Sequence, residues 1–113
     1  MNIQIFGTKK SADTRKAERW FKERRIRFQA VDLAEKGLSK GEFQKVAQAV
    51  GGFDAMIDPD CRDKDLLALI KYIAAEDRLQ KVLENQAVLK QPVVRNGSKA
   101  TVGYQPEVWK SWE

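Results

Sequence analysis

Residues 92–104 read PVVRNGSKATVGY, two β-branched runs on either side of Asn96-Gly97. That dipeptide is the preferred two-residue connection of a tight hairpin, because a type I′ turn needs φ > 0 at both central positions and Asn-Gly tolerates it. The segment is therefore expected to form two antiparallel strands turning at Asn96-Gly97. An isolated hairpin is marginal in water, so the rest of the chain must supply further strands and a cover. NIQIF at 2–6 alternates polar and apolar residues, the pattern of a strand with one buried face, and RFQAVDL at 27–33 is a second candidate. Between them Ala17, Trp20 and Phe21 fall at i, i+3 and i+4, one stripe of a helix that Ser11 or Asp13 would cap. Strand, helix and strand so close together predict a parallel β-α-β unit.

The middle of the chain reads as helix. Ser39 and Glu42 have capping-box spacing, Phe43, Val46, Ala47 and Val50 follow at helical intervals, and Gly51-Gly52 ends the run. FDAMI leads to the turn Asp58-Pro59-Asp60, then Leu66, Leu67, Ile70 and Ile73 form another stripe, and Leu79, Val82 and Leu83 a shorter one. After the hairpin, Pro106 fits a first helical position, with Val108, Trp109 and Trp112 turned to the sheet. The aromatic residues Trp20, Phe21, Phe43 and Trp109 sit at helical spacings and are expected in the core. The expected architecture is α/β: a four-stranded mixed sheet in the order β-α-β, helical insertion at about 39–85, β-β-α. At 113 residues and 42% hydrophobic, one domain spanning 1–113 is expected.

Composition excludes much chemistry. The chain has no histidine and one cysteine, Cys61. Imidazole metal sites, Ser/His/Asp or Cys/His catalysis, internal disulfides and Cys-x-x-Cys pairs are thereby ruled out, and no metal is expected. No apolar run approaches a membrane span, and the opening MNIQIFGTKK places its charge after the apolar stretch, the reverse of a signal peptide; a cytoplasmic protein is expected. The net charge is +5, yet residues 1–50 alone carry 12 Lys/Arg against 6 Asp/Glu. Most of this excess lies in Lys9–Arg27. Its ordinary reading is a solvated face; as a binding face it suits an acidic protein surface ahead of nucleic acid.

Three stretches together carry a family resemblance: IFGTKKSADTRKAERWF, the strand RFQAVDL with its turn and capped helix EKGLSKGEF, and VLKQPVVRNGSKATVGYQPEVW. Through them the chain resembles the arsenate reductase family, which includes Spx-type regulators and uncharacterised relatives, over nearly its whole length. The resemblance implies a thioredoxin-like fold. In catalytic members a cysteine occupies the loop after the first strand, with an arginine four residues later, where a helix N-terminus stabilises a thiolate and cradles an oxyanion. Arg15 stands in the arginine position and Ser11 in that of the cysteine, so the nucleophile is missing. A serine hydroxyl needs a neighbouring base and cannot exchange disulfides, whereas a helix cap accounts for Ser11 directly. Accessory arginines of arsenate-reducing members are also absent, their places taken by Gln91, Asp58 or its neighbours, and Gln105.

Pro92 corresponds to the proline this fold commonly holds cis, and Gln91–Pro92 is accordingly a cis candidate. The expected anion- or ligand-binding set is Thr8, Lys10, Ser11, Arg15, Gln91 and Pro92. Cys61 lies among three carboxylates and one arginine, surroundings that disfavour a thiolate. The resemblance leads to two expectations. The first is a non-catalytic binding or regulatory protein with no cofactor, meeting a protein partner through its basic first helix. The second is a thiol-dependent oxidoreductase coupled to glutathione or glutaredoxin, with Cys61 or an external thiol doing the chemistry and a small thiol or anion held near Arg15.

Overall fold

The computed structural model describes residues 1–112. Strands β1 (Ile3–Gly7), β2 (Phe28–Asp32), β3 (Val93–Asn96) and β4 (Lys99–Val102) form one sheet in the order β2-β1-β3-β4. β1 runs parallel to β2 and antiparallel to β3, and β3 and β4 are antiparallel. The parallel step is bridged by α1 (Ala12–Glu23). Helices α2 (Lys40–Val50), α3 (Lys64–Tyr72) and α4 (Ala75–Glu84) lie between β2 and β3, with 3-10 turns at Asp54–Met56 and Gln86–Val88. α5 (Pro106–Lys110) follows β4. This is the thioredoxin-like α/β arrangement. Among the described residues no helix is long and apolar enough to cross a membrane.

Helices cover both faces of the sheet, which corrects the one-sided reading of the first strand. Ile3, Ile5 and Val94 point to one side and pack with Trp20, Phe21 and Trp109 of α1 and α5. Phe6 and Val93 point to the other and join an aliphatic core with α2, α3 and α4. Adjacent residues Val93 and Val94 thus serve opposite cores, as the period of two requires. On the aromatic side Trp20, Phe21 and Trp109 meet with ring centroids 4.9–5.4 Å apart. The indole N–H of Trp109 donates to buried Thr101 Oγ1 at 2.8 Å, which satisfies both polar atoms. Val108, expected against the sheet, is exposed instead. Successive helical side chains diverge by about 100°, and here Trp109 takes the inward position.

The hairpin turn is shifted by one residue from the expected one. Asn96 pairs with Lys99 and also with Ile3, so the two loop residues are Gly97 and Ser98, and of these only Gly97 has positive φ, +62°. Glycine at the first central position is the type II′ preference. Turning at Asn96-Gly97 would place buried Val94 opposite exposed Lys99. The observed register sets Val93 against Val102 and Val94 against Thr101, all four buried.

Candidate functional site

β1 ends on Gly7, which is buried against the first turn of α1. A Cβ there would stand 2.3 Å from Thr14 Oγ1, so a side chain at position 7 would push α1 off the strand. The loop from Thr8 to Ser11 closes with the Ser11 N–H donating to the Thr8 carbonyl at 3.1 Å. Ser11, rather than Asp13, is the N-cap: its Oγ accepts the Thr14 N–H at 3.1 Å, with the extended backbone a cap adopts. The amides of Ala12 and Asp13 have no partner among the described residues, as expected of a helix's first turn.

The loop is tied to the start of β3. Gln91 Oε1 accepts both the Thr8 N–H, at 2.8 Å, and the Thr8 hydroxyl, at 3.1 Å. The peptide bond that follows, Gln91–Pro92, is cis. Pro92 is buried, and its carbonyl accepts the Gly103 N–H at 2.9 Å.

A second loop stands opposite. Ile57 bridges Leu89, the Asp58 N–H donates to the Val88 carbonyl at 2.9 Å, and Asp58 Oδ1 accepts the Asp60 N–H at 2.9 Å. Aspartate closing on its own backbone two residues ahead makes a compact Asx-turn. The turn carries half-buried Cys61, whose N–H donates to the Asp58 carbonyl. Asp63 then caps α3 through the Leu66 N–H, at 3.0 Å.

Between the two loops lies an open cleft of about 1100 Å³. Ser11 and Cys61, fifty residues apart in the chain, line the same space, together with Thr8, Lys10 and Gln91. Pro92 and Arg15 are not on its wall. Arg15 is turned back, its guanidinium donating to the Lys9 carbonyl. Gln105 donates to the Val102 carbonyl at 3.2 Å and is likewise absent from the wall.

The wall is acidic. Asp13, Asp32, Asp58, Asp60 and Asp63 face three cations, Lys9, Lys10 and Arg62, although the chain as a whole is basic. Asp32 went unrecognised in the sequence, and Asp13 reads there as an alternative cap. A signal for Asp32 existed, since it ends parallel strand β2 beside the end of β1, and the carboxyl ends of parallel strands are where α/β sheets place ligands. The opposing loop had no comparable signal, because only the packing of the helical segment brings it to the cleft. Ser11 can bind through its hydroxyl proton and the neighbouring amides. It has no imidazole to activate it, as the chain contains none.

Comparison with known proteins agrees with this architecture. The model of the ArsC family matches residues 6–112. The chain is 22% identical over 111 residues to the uncharacterized protein YusI of Bacillus subtilis (strain 168), covering 95% of this chain and 94% of YusI. Among solved structures it is similar to the arsenate reductase from Vibrio cholerae, with a TM-score of 0.82, 19% identity and coverage of 98% and 97% of the two chains. It is also similar to an arsenate reductase (ArsC) related protein from Brucella melitensis, with a TM-score of 0.68, 18% identity and coverage of 99% and 94%. At these identities the structural likeness concerns the fold.

Proposed function

The chain belongs to the ArsC family, and from that premise we propose that it is a binding or regulatory member, holding a ligand in its cleft and a protein partner on α1 without thiol redox chemistry of its own. Fold does not decide function, so the reading rests on the site. The observation that carries it is Ser11: the residue in the position of the family's cysteine spends its oxygen capping α1. The electrostatics support the same reading. Five aspartates line the cleft and Arg15 is bonded elsewhere. A multiply charged oxyanion there would meet repulsion in place of the charged hydrogen bonds, each worth about 1.5–3 kcal/mol, that would hold it.

The deciding experiment is NADPH-coupled arsenate reduction with glutathione and glutaredoxin, or with thioredoxin and its reductase, comparing the protein with its Ser11→Cys variant. The unmodified protein is expected to show no turnover. Turnover by it would overturn the binding reading.

One observation favours a second reading, a thiol-dependent oxidoreductase. Cys61 lines the same cleft as Ser11, so the chain's single thiol is located where a substrate held at the α1 loop would meet it. Glutathione would be the external thiol, its ammonium group suited to the aspartates and its carboxylates to Lys9, Lys10 and Arg62. This reading requires Cys61→Ala to abolish any turnover seen.

A further inference from the structure

The segment Lys9–Arg27 holds nine Lys and Arg against three carboxylates, Asp13, Glu18 and Glu23, an excess of six positive charges. The whole chain carries +5, so everything outside this segment sums to one negative charge. All nine cations are exposed. None is in an ion pair: among the described residues the three salt bridges use Arg78, Arg95 and Lys110. Glu18 with Lys22, and Arg19 with Glu23, have the i, i+4 spacing at which helical side chains pair, yet they stay apart. The cations are therefore displayed without ion-pair partners: four stand on α1 beside its three carboxylates, and the excess is completed by Lys9, Lys10, Arg24, Arg25 and Arg27 at its two ends.

The display has a defined shape. Thr14, Ala17, Trp20 and Phe21 are the buried face of α1, which turns Arg15, Arg19 and Lys22, at i, i+4 and i+7, outward in one row, exposed Arg15 keeping guanidinium N–H groups beyond the one it spends on the Lys9 carbonyl. At 1.5 Å per residue the row is about 10 Å long. Past the helix end Arg24 lies to the side of the row and is held in place, its guanidinium 4.0 Å from the Trp20 ring centroid and donating to the Trp20 carbonyl at 3.2 Å. A cation fixed on an aromatic ring loses less freedom on binding than a free one.

We infer that this outward face of α1 docks an acidic polypeptide segment of a partner protein, one whose carboxylates recur at helical spacing. The inference rests on the binding role proposed above and supplies the class of its partner. Charge complementarity sets the sign of the occupant, and the row's length sets its size: two turns of a helix offering Glu or Asp at i, i+4 and i+7 match it. Nucleic acid fits less well. The row is short, and the aromatic side chains of α1, Trp20 and Phe21, are buried and cannot stack on bases. The aspartates lining the adjoining cleft would also repel a polyanion running beyond the α1 loop.

The test is fluorescence anisotropy with a labelled 14-residue helical peptide carrying Glu at i, i+4 and i+7, against a single-stranded DNA oligonucleotide of equal charge, at low and at 0.3 M salt. The peptide is expected to bind, to weaken as salt rises, and to lose about tenfold in affinity with Arg19→Glu/Lys22→Glu, whose side chains make no hydrogen bond or ion pair among the described residues. The milder Arg19→Gln/Lys22→Gln pair should give an intermediate loss, and circular dichroism melts verify that both variants are folded. No peptide binding, equal binding by the variants, or tighter binding of the DNA would each overturn the inference. The titration reads α1 and the coupled assay reads the cleft. Reductase turnover by the unmodified protein would therefore end the binding-only role whatever the peptide does, and an absent peptide signal with no turnover would remove the docking surface alone.

Discussion

Two helices of this protein begin on a serine, and the loop before each is tied by a glutamine from the segment leading into β3. At α2, Gln86 Oε1 accepts the Leu38 N–H and its Nε2 donates to the Leu38 carbonyl, both at 2.7 Å, and to the Leu83 carbonyl at 3.3 Å. Ser39 and Glu42 then complete a reciprocal capping box, each side chain accepting the other's backbone N–H. At α1, Gln91 uses only its Oε1, on Thr8, and Ser11 caps in one direction. The α2 start also leaves two first-turn amides, of Lys40 and Gly41, without partners among the described residues, but it uses both amide atoms of its glutamine. The α1 start leaves the Ala12 and Asp13 amides and the Gln91 Nε2 without partners among the described residues, at the cleft. One glutamine spends both ends of its amide on its loop, while the other spends only its oxygen and leaves its Nε2 to the cleft.

Removing the two glutamines is the strongest challenge to that contrast. Gln86→Ala strands the half-enclosed N–H and carbonyl of Leu38 and is expected to cost about 3 kcal/mol. Gly37, at φ +69°, leaves just enough room for Gln86: a Cβ there would sit 2.6 Å from its Oε1. Gln91→Ala should cost about 1 kcal/mol, because water in the open cleft can replace Oε1 at Thr8. Urea unfolding midpoints give both values, and equal losses would break the distinction between a glutamine that uses both ends of its amide and one that uses only its oxygen.

Most of the frame was readable from the chain because it is local. Capping residues, helical stripes and the strand-helix-strand opening each lie within a dozen residues of their partners, and the Ser39 box, the Ser11 cap and the parallel β1–β2 pair are all present. The hairpin register was not readable. Asn96-Gly97 promises a turn on local grounds, but pairing with β1 and the burial of Val94 move the turn to Gly97-Ser98. The cleft was half readable. Thr8, Lys10, Ser11 and Gln91, singled out through the resemblance, line it, whereas the proximity of Cys61 to them depends on how α2, α3 and α4 pack. Gln86 left no trace at all, since a lone glutamine in a polar stretch has no periodicity to mark it. Arg15 shows the limit of residue matching: the position is filled by the implied residue type, but its guanidinium is bonded to Lys9.

The serines themselves offer a finer comparison. Ser39→Ala removes one cap bond and frees Glu42, and should cost about 1.5 kcal/mol; Ser11→Ala removes a single bond and should cost about 1 kcal/mol. Ser11→Asp restores an acceptor at the cap and should recover most of that loss. Thermal melts of the three variants measure this. If Ser11→Asp proves as destabilised as Ser11→Ala, the hydroxyl has a role at the cleft that capping does not explain.

The smallest effect distinguishes the two helix starts by pH. The Glu42 carboxyl lies below its ordinary value of 4.5, first because it accepts the Ser39 N–H, then through the Ser39 hydroxyl and the charge of Arg95, 3.2 Å away, with partial burial opposing. A carboxylate with a lowered folded-state value stabilises the protein above its unfolded value and loses that contribution as pH falls through the folded one. Glu42→Gln can keep the cap bond, since glutamine also serves at this position, and lose the charge. Its cost should be about 0.5 kcal/mol, steady from pH 7 to about 5.5 and vanishing as pH drops well below 4.5. At α1 the corresponding residue is Thr14, which cannot ionise, so the cost of Ser11→Ala should stay flat over the same range. Urea titrations at several pH values test both. A Glu42→Gln gap that persists undiminished at pH 3 would mean the carboxylate's charge does not stabilise the α2 start, and the contrast between the two helices would then rest on hydrogen bonds alone.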